Sequence, residues 1–156
     1  MVSRSLIADF AVAAIALALA TLGTTTPVLA GDAGMIKVST GEAWIDRAGA
    51  RLAARVGDKV QASDVIVTGP KGAVGITFAD DSRLAIGPNS VLAIDRFVFD
   101  STTHAGASET SLRRGTLAAV SGKLTRQSPE AMKVRTPVAN LGVRGTEFLI
   151  RTGEAD

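Results

Sequence analysis

Cysteine and tyrosine are absent from this 156-residue chain, and histidine and tryptophan occur once each. Without cysteine there is no disulfide, no thiolate nucleophile and no cysteine-ligated zinc or iron–sulfur site. An N-terminal lipid-modified cysteine is excluded as well. The lone histidine, His104, cannot build a multi-histidine metal centre within one chain. The aromatic inventory is five phenylalanines and Trp44, with Phe10 close to the N-terminus. That is a thin supply of stacking platforms for single-stranded nucleic acid. An excess of one charge is missing too: 17 basic residues face 15 acidic ones, for a net charge of +2, and the densest basic pair is Arg113-Arg114. So scattered a distribution argues against nucleic-acid binding.

The longest apolar run, "FAVAAIALALATL" from Phe10 to Leu22, falls short of the roughly 20 residues that a spanning helix needs. Arg4 precedes it and Val28-Leu29-Ala30 follows it. This order predicts a signal peptide over residues 1–30, removed after Ala30. The alternative is an uncleaved membrane anchor, the one membrane contact expected. In both cases residues 31–156 are exported, to the periplasm or beyond the cell. They are enough for one domain that buries roughly two-thirds of the surface of its unfolded chain.

No segment after Ala30 keeps a helical apolar stripe. Arg47 to Val60 is alanine-rich but interrupted by Gly49 and Gly57, and each glycine costs about 1 kcal/mol in a helix interior. It reads as loop and short strand, with room for one helical turn. Elsewhere short β-branched runs are bounded by Gly, Pro, Asp and Ser. Ala73 to Phe78 and Arg83 to Ile86 flank Asp80-Asp81-Ser82, a hairpin tip. Gly87-Pro88-Asn89-Ser90 is the next turn, and Val91 to Phe99 the longest strand. Ser101 to Ser108 reads as a polar loop. Arg114-Gly115 reads as a hairpin between Thr110–Arg113 and Thr116–Val120. The count is about nine or ten short strands, which predicts an all-β fold: a two-sheet antiparallel sandwich or a short solenoid-like roll.

Near the end lies "RTPVANLGVRGTEFLIR", Arg135 to Arg151. A phosphate-binding glycine loop needs a following helix, but Thr146 to Arg151 reads as strand. Pro137 forces Thr136 extended and ends the preceding strand. Gly142 and Gly145 supply backbone freedom at a tight corner. Arg144 has three readings: a local pair with Glu147, a reach inward to backbone carbonyls, or a solvated surface charge.

These residues resemble the signature of the FecR-type periplasmic domain: Thr136-Pro137, then Val143-Arg144-Gly145-Thr146-Glu147 with an aromatic after it. Earlier segments resemble the family in the same order, with Asp80-Asp81-Ser82 where Asp-Gly-Ser is usual, then Gly87-Pro88-Asn89-Ser90. The resemblance runs from about Gly34 to Arg151. It implies an all-β domain in the periplasm, at 31–156, whose C-terminal end stops where many members continue into further strands. The best-known members are membrane-spanning regulators of a sigma factor that read the signalling domain of an outer-membrane receptor. A cytoplasmic segment of useful length is not expected before the apolar run, which points to a stand-alone exported form.

The function expected is a non-catalytic binding or signalling module that engages another envelope protein, with a receptor signalling domain as candidate partner. The alternative is a cell-wall or glycan-associated structural protein, for which Trp44 alone is a poor stacking inventory. No cofactor or metal is expected. Asp80-Asp81 has the composition of a turn more than of a calcium site. His104 beside Ser101, Ser108 and Glu109 suggests a triad only by proximity in sequence. The motif residues are expected to be structural, and binding to use an exposed strand edge or the polar loop.

Overall fold

A computed structural model describes residues 31–144 and 147–153. The leader expected over 1–30 and the Gly145-Thr146 step lie outside the described residues. Strands dominate: β1 (Asp32–Thr40), β2 (Ala43–Arg47), β3 (Ala50–Ala53), β4 (Lys59–Gln61), β5 (Val65–Thr68), β6 (Ala73–Phe78), β7 (Arg83–Ile86), β8 (Val91–Phe99) and β9 (Gly106–Val120). A five-residue helix α1 (Lys123–Gln127) follows, then β10 (Met132–Arg135), β11 (Asn140–Gly142) and β12 (Glu147–Thr152). The all-β expectation holds.

Alternation of side chains decides which face is buried. Val74, Ile76 and Phe78 of β6 point inward, as do Leu84 and Ile86 of β7 and Met132 and Val134 of β10. One half of the ladder runs β4-β1-β6-β7-β9-β12, the other β3-β2-β5-β8-β9-β10-β11. β9 belongs to both, so the sheet curls over on itself. Ile36, Ile76 and Leu117 from the first half share one core with Ile45, Ile66, Leu92 and Leu112 from the second. Each such side chain contributes about 1.5–3 kcal/mol by leaving water. Phe78 and Phe97 meet across the halves at 5.1 Å between ring centroids.

The curl is made at a row of corners where strands pass from one half to the other, a role that bends and bulges commonly serve. β1 becomes β2 at Gly41, where φ is +64° and a β-carbon would lie 2.1 Å from the Lys71 carbonyl. The β5–β6 corner adjoins it through the Gly69 amide, which donates to the Glu42 carbonyl at 2.8 Å. The β7–β8 corner is next, with the Asn89 amide donating to the Gly69 carbonyl at 3.0 Å. The last is Gly115 within β9.

Two expectations need correction. The Arg114-Gly115 step is not a hairpin: β9 continues through it for 15 residues, paired with β8 before the glycine and with β7 after it. Neighbours on both sides supply a ladder, so turn chemistry produces a bend. The polar loop is shorter than Ser101–Ser108, because Gly106 to Ser108 join β9 opposite Phe99 to Phe97. The stretch from Arg47 to Val60 is loop and short strand, as expected, with β3 inside it and the room for a helical turn unused; the short helix follows Gly122. One pairing departs from the antiparallel rule: β10 lies parallel to β9, Met132 opposite Ser108. Helix α1 is the crossover that returns the chain in that direction.

Candidate functional site

The signature near the C-terminus builds a hairpin and an edge. The Thr136 amide donates to the Ala139 carbonyl at 2.8 Å, and the Thr136 hydroxyl accepts the Ala139 amide at 3.0 Å. Pro137 occupies the turn between them, where its fixed φ fits and no amide donor is needed. Val138 sits at the tip with 92% of its surface exposed. β11 then runs antiparallel to β10 and, among the described residues, pairs with nothing else. Its residues are all exposed, Leu141 and Gly142 included.

After Gly142 the chain turns inward once. Val143 is buried, and its amide donates to the Met132 carbonyl at 3.1 Å. Arg144 turns outward. Its guanidinium donates to Glu130 Oε1 at 3.0 Å, and both side chains are more than three-quarters exposed. The partner is therefore Glu130, not Glu147, which is exposed at the start of β12 opposite Val120. Between α1 and this corner lies an open cleft of about 600 Å³, lined by Ser121, Thr125, Arg126, Glu130, Val143 and Arg144. Gly145 and Thr146 of the signature lie outside the described residues.

The two upstream motifs have different neighbours. Asp80 is buried and accepts the Ser82 hydroxyl at 2.6 Å and the Ser82 amide at 3.1 Å. Asp81 takes the left-handed position with φ of +65° and pairs with Lys123 at 2.7 Å. That contact holds its carboxyl below the usual carboxylate range. The left-handed φ explains why glycine is usual here and aspartate acceptable. Gly87-Pro88-Asn89-Ser90 forms the turn between β7 and β8, at one of the corners. Thr68 ties it together, donating to the Gly87 carbonyl at 2.7 Å and accepting the Ser90 amide at 2.9 Å.

No triad assembles around His104. Its ring stacks on Phe99, with centroids 6.0 Å apart, while Glu109 pairs with Arg135 and the Ser108 amide donates to the Ala131 carbonyl. Asp100 accepts the amides of Thr102 and Thr103, which hold its carboxyl below its ordinary value. Trp44 is half-buried with Arg51 over its ring at 5.5 Å. Among the described residues no group of three or more His, Asp or Glu side chains could hold a metal ion.

Sequence reasoning missed Asp64. Its carboxylate is buried, accepts both nitrogens of a fork from Arg47 at 2.8 and 2.7 Å, and accepts the Gln61 amide at 2.8 Å. Arg47 also donates to the Lys59 carbonyl at 2.9 Å. The group ties β2 to the β4–β5 corner. An aspartate opening a β-branched run was the available signal, but nothing local named its partner 17 residues earlier.

Comparison with known proteins gives a family match. The family model described as "FecR protein" matches residues 64–156. Among solved structures, a "Cell surface anchoring domain" is similar over 39% of this chain and 82% of its own, with 26% identity and a TM-score of 0.38. No curated protein matches the chain.

Proposed function

The chain belongs to the FecR protein family, and from that premise we propose that it is a non-catalytic envelope module that engages another envelope protein through its β10–β11 hairpin. The family is a regulatory and signalling one whose domains are periplasmic in their usual context. Export through the predicted leader would place this chain in the same compartment. Among the described residues no helix is long and apolar enough to cross a membrane.

The observation that carries the reading is Val138, 92% exposed at the tip of an edge hairpin. An exposed β-branched residue beside an open strand is what a strand-adding partner would use: main-chain hydrogen bonds give affinity and the side chain gives specificity. On this reading the Thr136-Pro137 motif is structural. It shapes the hairpin, and the hairpin presents the edge.

A photoreactive residue at position 138, introduced in cells, tests this. We expect one envelope protein to be captured from position 138 and not from Asn89 at the corner row. The purified partner should then bind the wild-type chain and lose at least about tenfold in affinity for Val138→Asp, at an unchanged thermal midpoint. Equal capture from both positions, or unchanged affinity in the variant, would overturn the assignment.

A further inference from the structure

Among the described residues β12 is a second open edge, and its own sequence fits a second copy of itself. Among the described residues β12 pairs with β9 alone. Phe148 and Ile150 face the core but are only partly buried, while Glu147, Leu149 and Arg151 face outward, Leu149 with 67% exposure.

The backbone of this edge has a defined polarity. The Gly87 amide donates to the Thr116 carbonyl at 3.0 Å. Thr116 therefore directs its peptide groups toward β7, as do Ala118 and Val120, and Leu117 and Ala119 direct theirs toward β12. In the observed register Phe148 lies opposite Ala119 and Ile150 opposite Leu117. Phe148 and Ile150 thus bond to β9. Glu147, Leu149 and Arg151 aim their amides and carbonyls away from the sheet.

We infer that two copies of the chain pair edge to edge through β12, antiparallel about a two-fold axis at Leu149. In that register Leu149 meets its own copy, Glu147 lies opposite Arg151 of the second copy, and Arg151 opposite its Glu147. All three positions carry outward peptide groups, so each pair exchanges two hydrogen bonds. On the inner face Phe148 meets Ile150 of the second copy, which extends the apolar layer that each leaves half-covered. Within one chain Glu147 and Arg151 are about 13 Å apart along the strand and cannot satisfy each other. Among the described residues neither side chain makes a hydrogen bond or ion pair. Sliding the register by two residues sets each charge opposite Leu149 or an uncharged neighbour. A parallel arrangement sets glutamate against glutamate. Charge complementarity therefore selects one register and one symmetry, as an isologous interface requires.

The test is sedimentation equilibrium on protein purified from cells that express the full chain. The wild type should dimerise reversibly, and more weakly as salt rises. Glu147→Arg and Arg151→Glu should each weaken dimerisation at least about tenfold, because two pairs turn from attractive to repulsive. The double variant Glu147→Arg/Arg151→Glu should dimerise like the wild type, which a general loss of folding would not allow. A wild type that is monomeric at every concentration, or a dimer indifferent to both single charge reversals, would overturn the inference. The β10–β11 hairpin takes no part in this contact, so failure here leaves the hairpin reading to its own test.

Discussion

Ser90 and Gly115 are built against one another. The Ser90 hydroxyl accepts the Thr116 amide at 3.0 Å, and a β-carbon on Gly115 would fall 2.0 Å from that same oxygen. Gly115 also has φ of +96°, outside the range that side chains favour. Gly115→Ala should therefore destabilise the fold by about 2–4 kcal/mol, through strain and a displaced, partly buried hydrogen bond. A urea melt followed by circular dichroism measures it. An unchanged midpoint would mean that β9 does not bend against the β7–β8 corner.

The fork between Arg47 and Asp64 is asymmetric in exposure, with the aspartate 1% exposed and the arginine 32%. Arg47→Ala leaves a buried carboxylate with the Gln61 amide as its remaining donor, at a cost of about 3 kcal/mol. Asp64→Ala leaves a guanidinium that can turn to water, and should cost less. Paired melts of the two variants check the order; the reverse order would contradict the burial.

Arg144 and Glu130 form an exposed pair, a kind worth about 0–1 kcal/mol. Arg144→Ala should leave stability within about 0.5 kcal/mol of wild type. Val143→Asp, at the preceding and buried residue, should be severe by comparison. If Arg144→Ala alone shifted the melt by several degrees, the arginine would have an inward role that its exposure denies.

Four aspartates, Asp32, Asp46, Asp81 and Asp100, are held below their ordinary value of 3.8. Lys59, Arg51 and Lys123 are the first causes for three of them, and the Thr103 amide for Asp100. A carboxyl lowered on folding stabilises above its unfolded value, and that contribution is lost as pH falls through the folded value. The thermal midpoint should be flat from neutral pH down to about 5 and decline below about 4. The decline should be shallow and smaller in high salt, since all four sites face solvent. A midpoint that rose on acidification would reverse the assigned sign.

Local chemistry was enough for much of this protein. The bounds of β6, β7 and β8 follow from alternation between Gly, Pro, Asn and Asp breakers, because both the pleat and the breakers act over a few residues. The absence of cysteine and the single histidine exclude disulfides, thiolate ligands and a multi-histidine centre within one chain. The order of motifs was enough for the family. Tertiary structure decided the rest. Arg114-Gly115 has the composition of a turn, yet β8 pairs with β9 before it and β7 after it, so β9 bends there and does not reverse. Asn140-Leu141-Gly142 has little strand propensity and is a strand because β10 offers it a ladder. Arg47 finds Asp64, and Arg144 finds Glu130 rather than Glu147, because the partners of a charge are chosen by which segments the fold brings together. Turn propensity and charge are properties of single residues. Whether a glycine reverses the chain or only bends it, and which charges meet, depends on neighbours distant in sequence.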